Sequence, residues 1–133
     1  MEKQVFLGTF NYALDSKNRV AVPKVYSKQL DDRKLILSRV EVASYPIIAV
    51  FPSLITFNSK INRYFDYDDV TEDEMNYWNS ISQLGEIDSA GRIALKKMHD
   101  IIHTKMVTVA GRQSWFEFWD AEDFNNYNKS LRK

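Results

Sequence analysis

Two stretches of this chain repeat one rhythm of apolar and polar positions. KLILSRVEVASYPIIAVFPSLITFN starts at Lys34 and KMVTVAGRQSWFEFWDAEDFNNYN at Lys105. Each reads as a β-rich run, a turn, a second apolar run ending in an aromatic, and a helix start. Upstream of them, LDSKNRVAVPKVYSKQL begins at Leu14 and IDSAGRIALKKMHDIIH at Ile87. The pattern predicts a strand over Val5 to Leu14, a polar turn over Asp15 to Asn18 and a returning strand over Arg19 to Val22. Pro23 stops that strand and opens a short helix over Lys24 to Leu30. Strands follow over Lys34 to Arg39 and Ile47 to Phe51, then a helix over Leu54 to Phe65 capped by Ser53. The second half predicts the same series: a strand ending at Ile87, a turn over Asp88 to Gly91 and a strand over Arg92 to Leu95. A short helix, strands over Met106 to Ala110 and Trp115 to Trp119, and a helix from Ala121 complete it.

The offset between the copies is 73 at Asp15 and Asp88, 71 at Lys34 and Lys105, and 68 at Phe51 and Trp119, so the second copy has shorter loops. Two units are too few for a solenoid. They fit a pseudo-twofold pair of halves closing one core, an α+β fold that is mainly β. Residues 5–53 form the first half, 54–83 connecting helices, 84–124 the second half and 121–133 a C-terminal helix. In the connector, YFDYDDVTEDEMNYWNSISQ resembles a store of calcium ligands. A calcium loop starting at Asp66 needs glycine at its sixth position, where Thr71 stands. Thr71 with Glu74 instead makes a capping box, and Met75, Trp78 and Ile81 or Ser82 recur at helical spacing to bury one face.

Composition narrows the picture. The 133 residues are 44% hydrophobic and 14% aromatic, which supports one packed domain rather than disorder. No cysteine is present, which removes thiolate chemistry and fits a reducing cytoplasm. The opening MEKQVFLGTF lacks the apolar run of a signal peptide, and no stretch has the length of a membrane span. Eighteen basic and eighteen acidic side chains leave a net charge of zero, so binding to nucleic acid requires the charges to be sorted onto separate faces.

Chemistry concentrates in the two turns. Asp15 and Asp88 open them and can accept hydrogen bonds from the backbone amides ahead. Asn18 and Gly91, just before each arginine, are the residue types that best tolerate positive φ. Arg19 and Arg92 then start the returning strands and can project outward. One such turn is an ordinary hairpin with a surface ion pair, worth ~0–1 kcal/mol. Two of them are more informative, because the turn explains Asp and Gly or Asn but does not require Arg. Paired guanidinium groups, with Lys17 adding a third cation, suit phosphate oxygens and guanine edges.

The sequence resembles the MraZ family over nearly the whole chain. The likeness is carried by Gly8, Asp15-Ser-Lys-Asn-Arg19-Val-Ala-Val-Pro23, Gly85-Glu-Ile-Asp88-Ser-Ala-Gly-Arg92 and Phe118-Trp-Asp120. It implies two SpoVT-AbrB-type repeats forming a swapped-hairpin or double-ψ type β-barrel with flanking helices. It further implies a ring-shaped homo-oligomer that binds tandem direct repeats in promoter DNA and regulates the division and cell-wall gene cluster from the cytoplasm, at the nucleoid. Arg19 matches the family's DNA-facing arginine, with Lys17 and Asn18 beside it and Arg92 in support, while Asp15, Asp88 and Gly91 hold the turns. Asn18 replaces the usual glycine of the first turn, and Lys96 and Lys97 add charge after the second. A ring would offset the weak charge of one subunit, since linked sites raise effective concentration. No cofactor, metal or catalytic residue is expected.

Other readings remain open at this level. A protein-binding ring or antitoxin-like module would share the fold. His99-Asp-Ile-Ile-His103 has the spacing of a zinc helix in a small metal-dependent enzyme, but Tyr26 and Leu30 hold these places in the other copy, which suits packing better. Trp115-Phe-Glu-Phe-Trp119 could stack on single-stranded nucleic acid, but alternation puts Trp115 and Trp119 on one face and Phe116 and Phe118 on the other, so a core or subunit interface fits it better.

Overall fold

The computed structural model describes residues 4–65 and 71–132, so Asp66, where a calcium loop would begin, lies outside the described residues. Eight strands form two antiparallel sheets. They are β1 (Thr9–Ala13), β2 (Arg19–Ala21), β3 (Lys34–Val42), β4 (Tyr45–Phe51), β5 (Ser82–Glu86), β6 (Arg92–Ala94), β7 (Met106–Gly111) and β8 (Phe116–Asp120). Helices α1 (Lys24–Ser27), α2 (Leu54–Lys60), α3 (Glu72–Ser80) and α4 (Ala121–Leu131) flank them, with 3₁₀ turns at Ile61–Tyr64 and Lys96–Ile101.

The large sheet runs β1-β7-β8-β4-β3-β5, and β2 pairs with β6 in a separate ribbon. Exchanging each strand for its repeat partner reverses the six-strand order and leaves it otherwise unchanged. The ribbon obeys the same symmetry, pairing Arg19 with Ala94, Val20 with Ile93 and Ala21 with Arg92. Each half gives its opening strand to the other: β1 pairs with β7 and β5 with β3. Neither half could therefore complete its sheet alone.

Strand alternation divides the core into two layers. Ile48, Val50, Phe116 and Phe118 face the ribbon, meeting Val20, Ile93 and Tyr26. Ile47, Phe51, Trp115 and Trp119 face the helices, meeting Phe57 and Trp78. The aromatic run of β8 is thus buried on both sides and offers no stacking platform to a nucleic acid.

Several elements differ in extent from the sequence pattern. The strand expected over Val5 to Leu14 begins only at Thr9. Gly8, at φ 92°, breaks it, leaving Phe6 in an isolated bridge to Gln113. β3 and β4 extend to meet at a two-residue turn, Ala43-Ser44, with both residues at positive φ (50° and 69°). Such turns match the twist of the strands they join, but they usually announce themselves with Asn-Gly or Gly. Ser53 caps α2, accepting from the Thr56 amide at 3.2 Å, and the Thr71–Glu74 capping box opens α3. On α3 only Trp78 is fully buried. Ile81 is half-buried, and Met75 is 50% exposed at the mouth of a groove beside Phe57 and Asn62, so the expected apolar face is narrower than its spacing suggests. No helix among the described residues is long and apolar enough to cross a membrane.

Candidate nucleic-acid interface

The twin turns have nearly superimposable bonding. Asp15 Oδ1 accepts from the amides of Lys17 at 2.9 Å and Arg19 at 2.8 Å. Asp88 Oδ1 accepts from the amides of Ala90 and Arg92, both at 2.9 Å. The carbonyls of Asp15 and Asp88 take the amides of Asn18 and Gly91, each at 3.0 Å. Asn18 and Gly91 lie in the left-handed region, at φ 57° and 82°. That conformation turns the chain sharply enough for one carboxylate to serve two amides, and only residues with small or locally bonding side chains adopt it easily.

The ribbon brings the turns together. Val22 donates to the Gly91 carbonyl at 2.9 Å, and Leu95 to that of Asn18 at 3.0 Å. Each strand exit is thereby tied to the tip of the opposite turn. The arginines complete the link. Arg19 Nε bonds Asp15 Oδ2 at 2.8 Å, and Arg92 NH1 bonds the same oxygen at 3.1 Å. Asp88 Oδ2 lies 3.6 Å from Arg19 NH1 and 3.8 Å from Arg92 Nε. The outward projection expected of the arginines is therefore only partial. Two carboxylates lie within reach, and the guanidinium groups fold back on them with 28% and 36% of their side-chain surface exposed. The sequence treats each turn as a unit, whereas the fold makes four side chains from two turns into one cluster.

Both aspartates hold their protons less tightly than an ordinary carboxyl. The largest cause is the backbone amide of the arginine four residues on, and the guanidinium charges add to it. The cluster therefore stays ionised well into acid. Around it the charge is one-sided. Residues 15–24 and 88–97 contain six cations against two carboxylates, in a chain of zero net charge. Lys17, Lys24, Lys96 and Lys97 are all exposed. The sorting of charge that nucleic-acid binding demands is thus present at the two turns.

The histidines do not form the zinc helix that their spacing allows. The 3₁₀ turn ends at Ile101, before His103 is reached, and His99 points to solvent. His103 instead meets Asp120 at 3.0 Å and Asp123 at 3.1 Å. Among the described residues this is the one group of three potential metal ligands held close together. Sequence reasoning missed it because its members lie on separate elements. Asp120 already has local work there, since it caps α4 through the Glu122 and Asp123 amides and accepts from Thr104 through both its amide and its hydroxyl.

No protein-family model matches the chain. It is similar to proteins called transcriptional regulator MraZ from two bacteria. One, from Corynebacterium jeikeium, is 25% identical over 93% of this chain and 87% of that protein. The other, from Limosilactobacillus fermentum, is 27% identical over 92% of this chain and 86% of that protein. These two matches, each spanning more than nine-tenths of the chain, support its assignment to the MraZ family.

Proposed function

We propose that the protein is a transcriptional regulator that binds double-stranded DNA through its paired turns, acting as a ring-shaped homo-oligomer on tandem promoter repeats of the division and cell-wall gene cluster. The observation that carries this reading is the pair of rigid, cation-rich turns held side by side by the ribbon, in a chain whose remaining residues carry an excess of acid. The names of its relatives support the regulatory role. Lys17, Asn18, Arg19 and Arg92 supply the DNA contacts, and Asp15, Asp88 and Gly91 hold the turns. The reversible strand order supports a swapped-hairpin barrel built from two SpoVT-AbrB-type repeats, 5–53 and 84–124. The setting is the cytoplasm, at the nucleoid, and no catalytic step is assigned.

The test is binding to a duplex carrying the region upstream of the protein's own gene. Log affinity should fall linearly with log salt, with a slope of about −0.9 for each phosphate neutralised. Binding should be lost in Arg19→Ala and weakened in Asp15→Ala, with the Asp15→Ala fold intact by circular dichroism. A flat salt response in the parent chain would favour a protein-binding ring instead. Native mass spectrometry gives the number of subunits, and a monomer that binds as tightly as the assembly would refute the role of the ring.

A further inference from the structure

The twin turns share a backbone but not a distribution of bonds. Asp15 Oδ2 accepts from both arginines, whereas Asp88 Oδ2 reaches neither within hydrogen-bonding distance. Arg19 is anchored to Asp15 through its side-chain Nε and its backbone amide together. Arg92 bonds Asp15 only through NH1, and its Nε is buried without an acceptor. A buried donor with no partner is unfavourable, so Arg92 loses less than Arg19 by leaving the cluster. Removing Arg19 would strip Asp15 of its nearest cation and leave it only the Arg92 bond at 3.1 Å, so that Arg92 could not leave without baring the carboxylate. Removing Arg92 leaves Asp15 paired to Arg19. Asp88 keeps its two amides and has Arg19 NH1 at 3.6 Å.

The tips differ too. The first carries Ser16-Lys17-Asn18 and the second Ser89-Ala90-Gly91. Lysine and asparagine can hydrogen-bond the edges of guanine and adenine, while alanine and glycine offer only backbone.

We propose that the two turns do unequal work on DNA: the first reads base edges through Lys17 and Asn18 beside Arg19, whose bond to Asp15 also positions that turn, and Arg92 swings out of the ion-pair cluster to hold a backbone phosphate. This rests on the DNA-binding reading above. It separates residues that specify from residues that anchor, a division that the duplicated motif conceals.

The test compares single variants of the full chain on two duplexes of equal length, one bearing the upstream region and one scrambled, from 50 to 300 mM salt. Arg92→Ala should weaken both duplexes alike and make the salt slope shallower by about 0.9 for each subunit engaged. Arg92→Lys should restore most of the affinity, since a point charge suffices for phosphate. Arg19→Lys keeps the charge but not the Nε bond, so it should lose affinity with the slope unchanged. Lys17→Ala should erase most of the preference for the upstream duplex. Thermal melting of each variant checks that it is folded. A steep parental slope that Arg92→Ala leaves untouched would overturn this division while sparing the DNA reading. A flat parental slope would sink the DNA reading itself.

Discussion

Glu117 offers the sharpest test of how the two halves are locked together. Its carboxylate is 1% exposed and sits on β8 between two alanines, opposite Ala49 of β4 and Ala110 of β7. The small neighbours leave room for three donors. Arg112 Nε bonds Oε1 at 2.9 Å, Trp119 Nε1 bonds Oε1 at 2.8 Å, and the Tyr64 hydroxyl bonds Oε2 while accepting from Trp115 Nε1. Burial, and then the charge of Glu117, raise the pKa of Tyr64 far above that of an ordinary phenol, so it remains a donor throughout. Ala49 holds the equivalent place in the first half, which shows that the strand itself accommodates alanine. The penalty of Glu117→Ala is therefore that of its orphaned partners. The Trp119 indole N–H is sealed from water, and a buried donor left unpaired costs about 1–3 kcal/mol. Arg112 keeps about a third of its side-chain surface in water and loses its charge partner only in part. Together these place the loss at about 3–5 kcal/mol, the range for breaking a buried pair from one side. Glu117→Gln preserves shape and one acceptor oxygen and should lose about 1.5–3 kcal/mol. Urea unfolding followed by tryptophan fluorescence measures both, with an unchanged m-value showing that the denatured state is the same. A Glu117→Ala loss below about 1 kcal/mol would show that the network's desolvation cancels its bonds, refuting the reasoning.

Three other outcomes follow from the same geometry. His103 is more basic than a free histidine, chiefly through its bond to Asp123, with the charges of Asp120, Asp123 and Glu122 adding to it. Its stabilisation is then full below pH ~6.5 and disappears as pH rises through its raised value, so the parent's advantage in melting temperature over His103→Gln should be larger at pH 5.5 than at pH 9. Asp15 and Asp88 are shifted the other way, so their contribution holds above pH 3.8 and is lost in stronger acid. Asp15→Asn should flatten the fall in melting temperature between pH 4 and pH ~2.5. A Cβ at Gly111 would collide with the Phe6 carbonyl oxygen and sit 2.6 Å from the Tyr26 hydroxyl. Gly111→Ala should therefore cost about 1–3 kcal/mol and open the Phe6–Gln113 bridge, seen as faster amide exchange at those two residues.

What the sequence determined by itself was local. The duplicated turns, the left-handed positions at Asn18 and Gly91, the caps at Ser53 and Thr71, and the opposed faces of Trp119 and Phe118 all rest on interactions within a few residues. Such interactions leave residue types at set spacings. Tertiary structure decided what a repeated pattern leaves ambiguous. Because both halves carry the same alternation, β1 could pair as readily, on pattern alone, with β3 of its own half as with β7 of the other. Only packing of the whole chain selects the exchange. That choice brings Arg92 onto Asp15 across 77 positions of sequence and Tyr64 onto Glu117 across 53. No spacing rule encodes contacts at such separations. They arise because one compact core has to serve two interleaved halves.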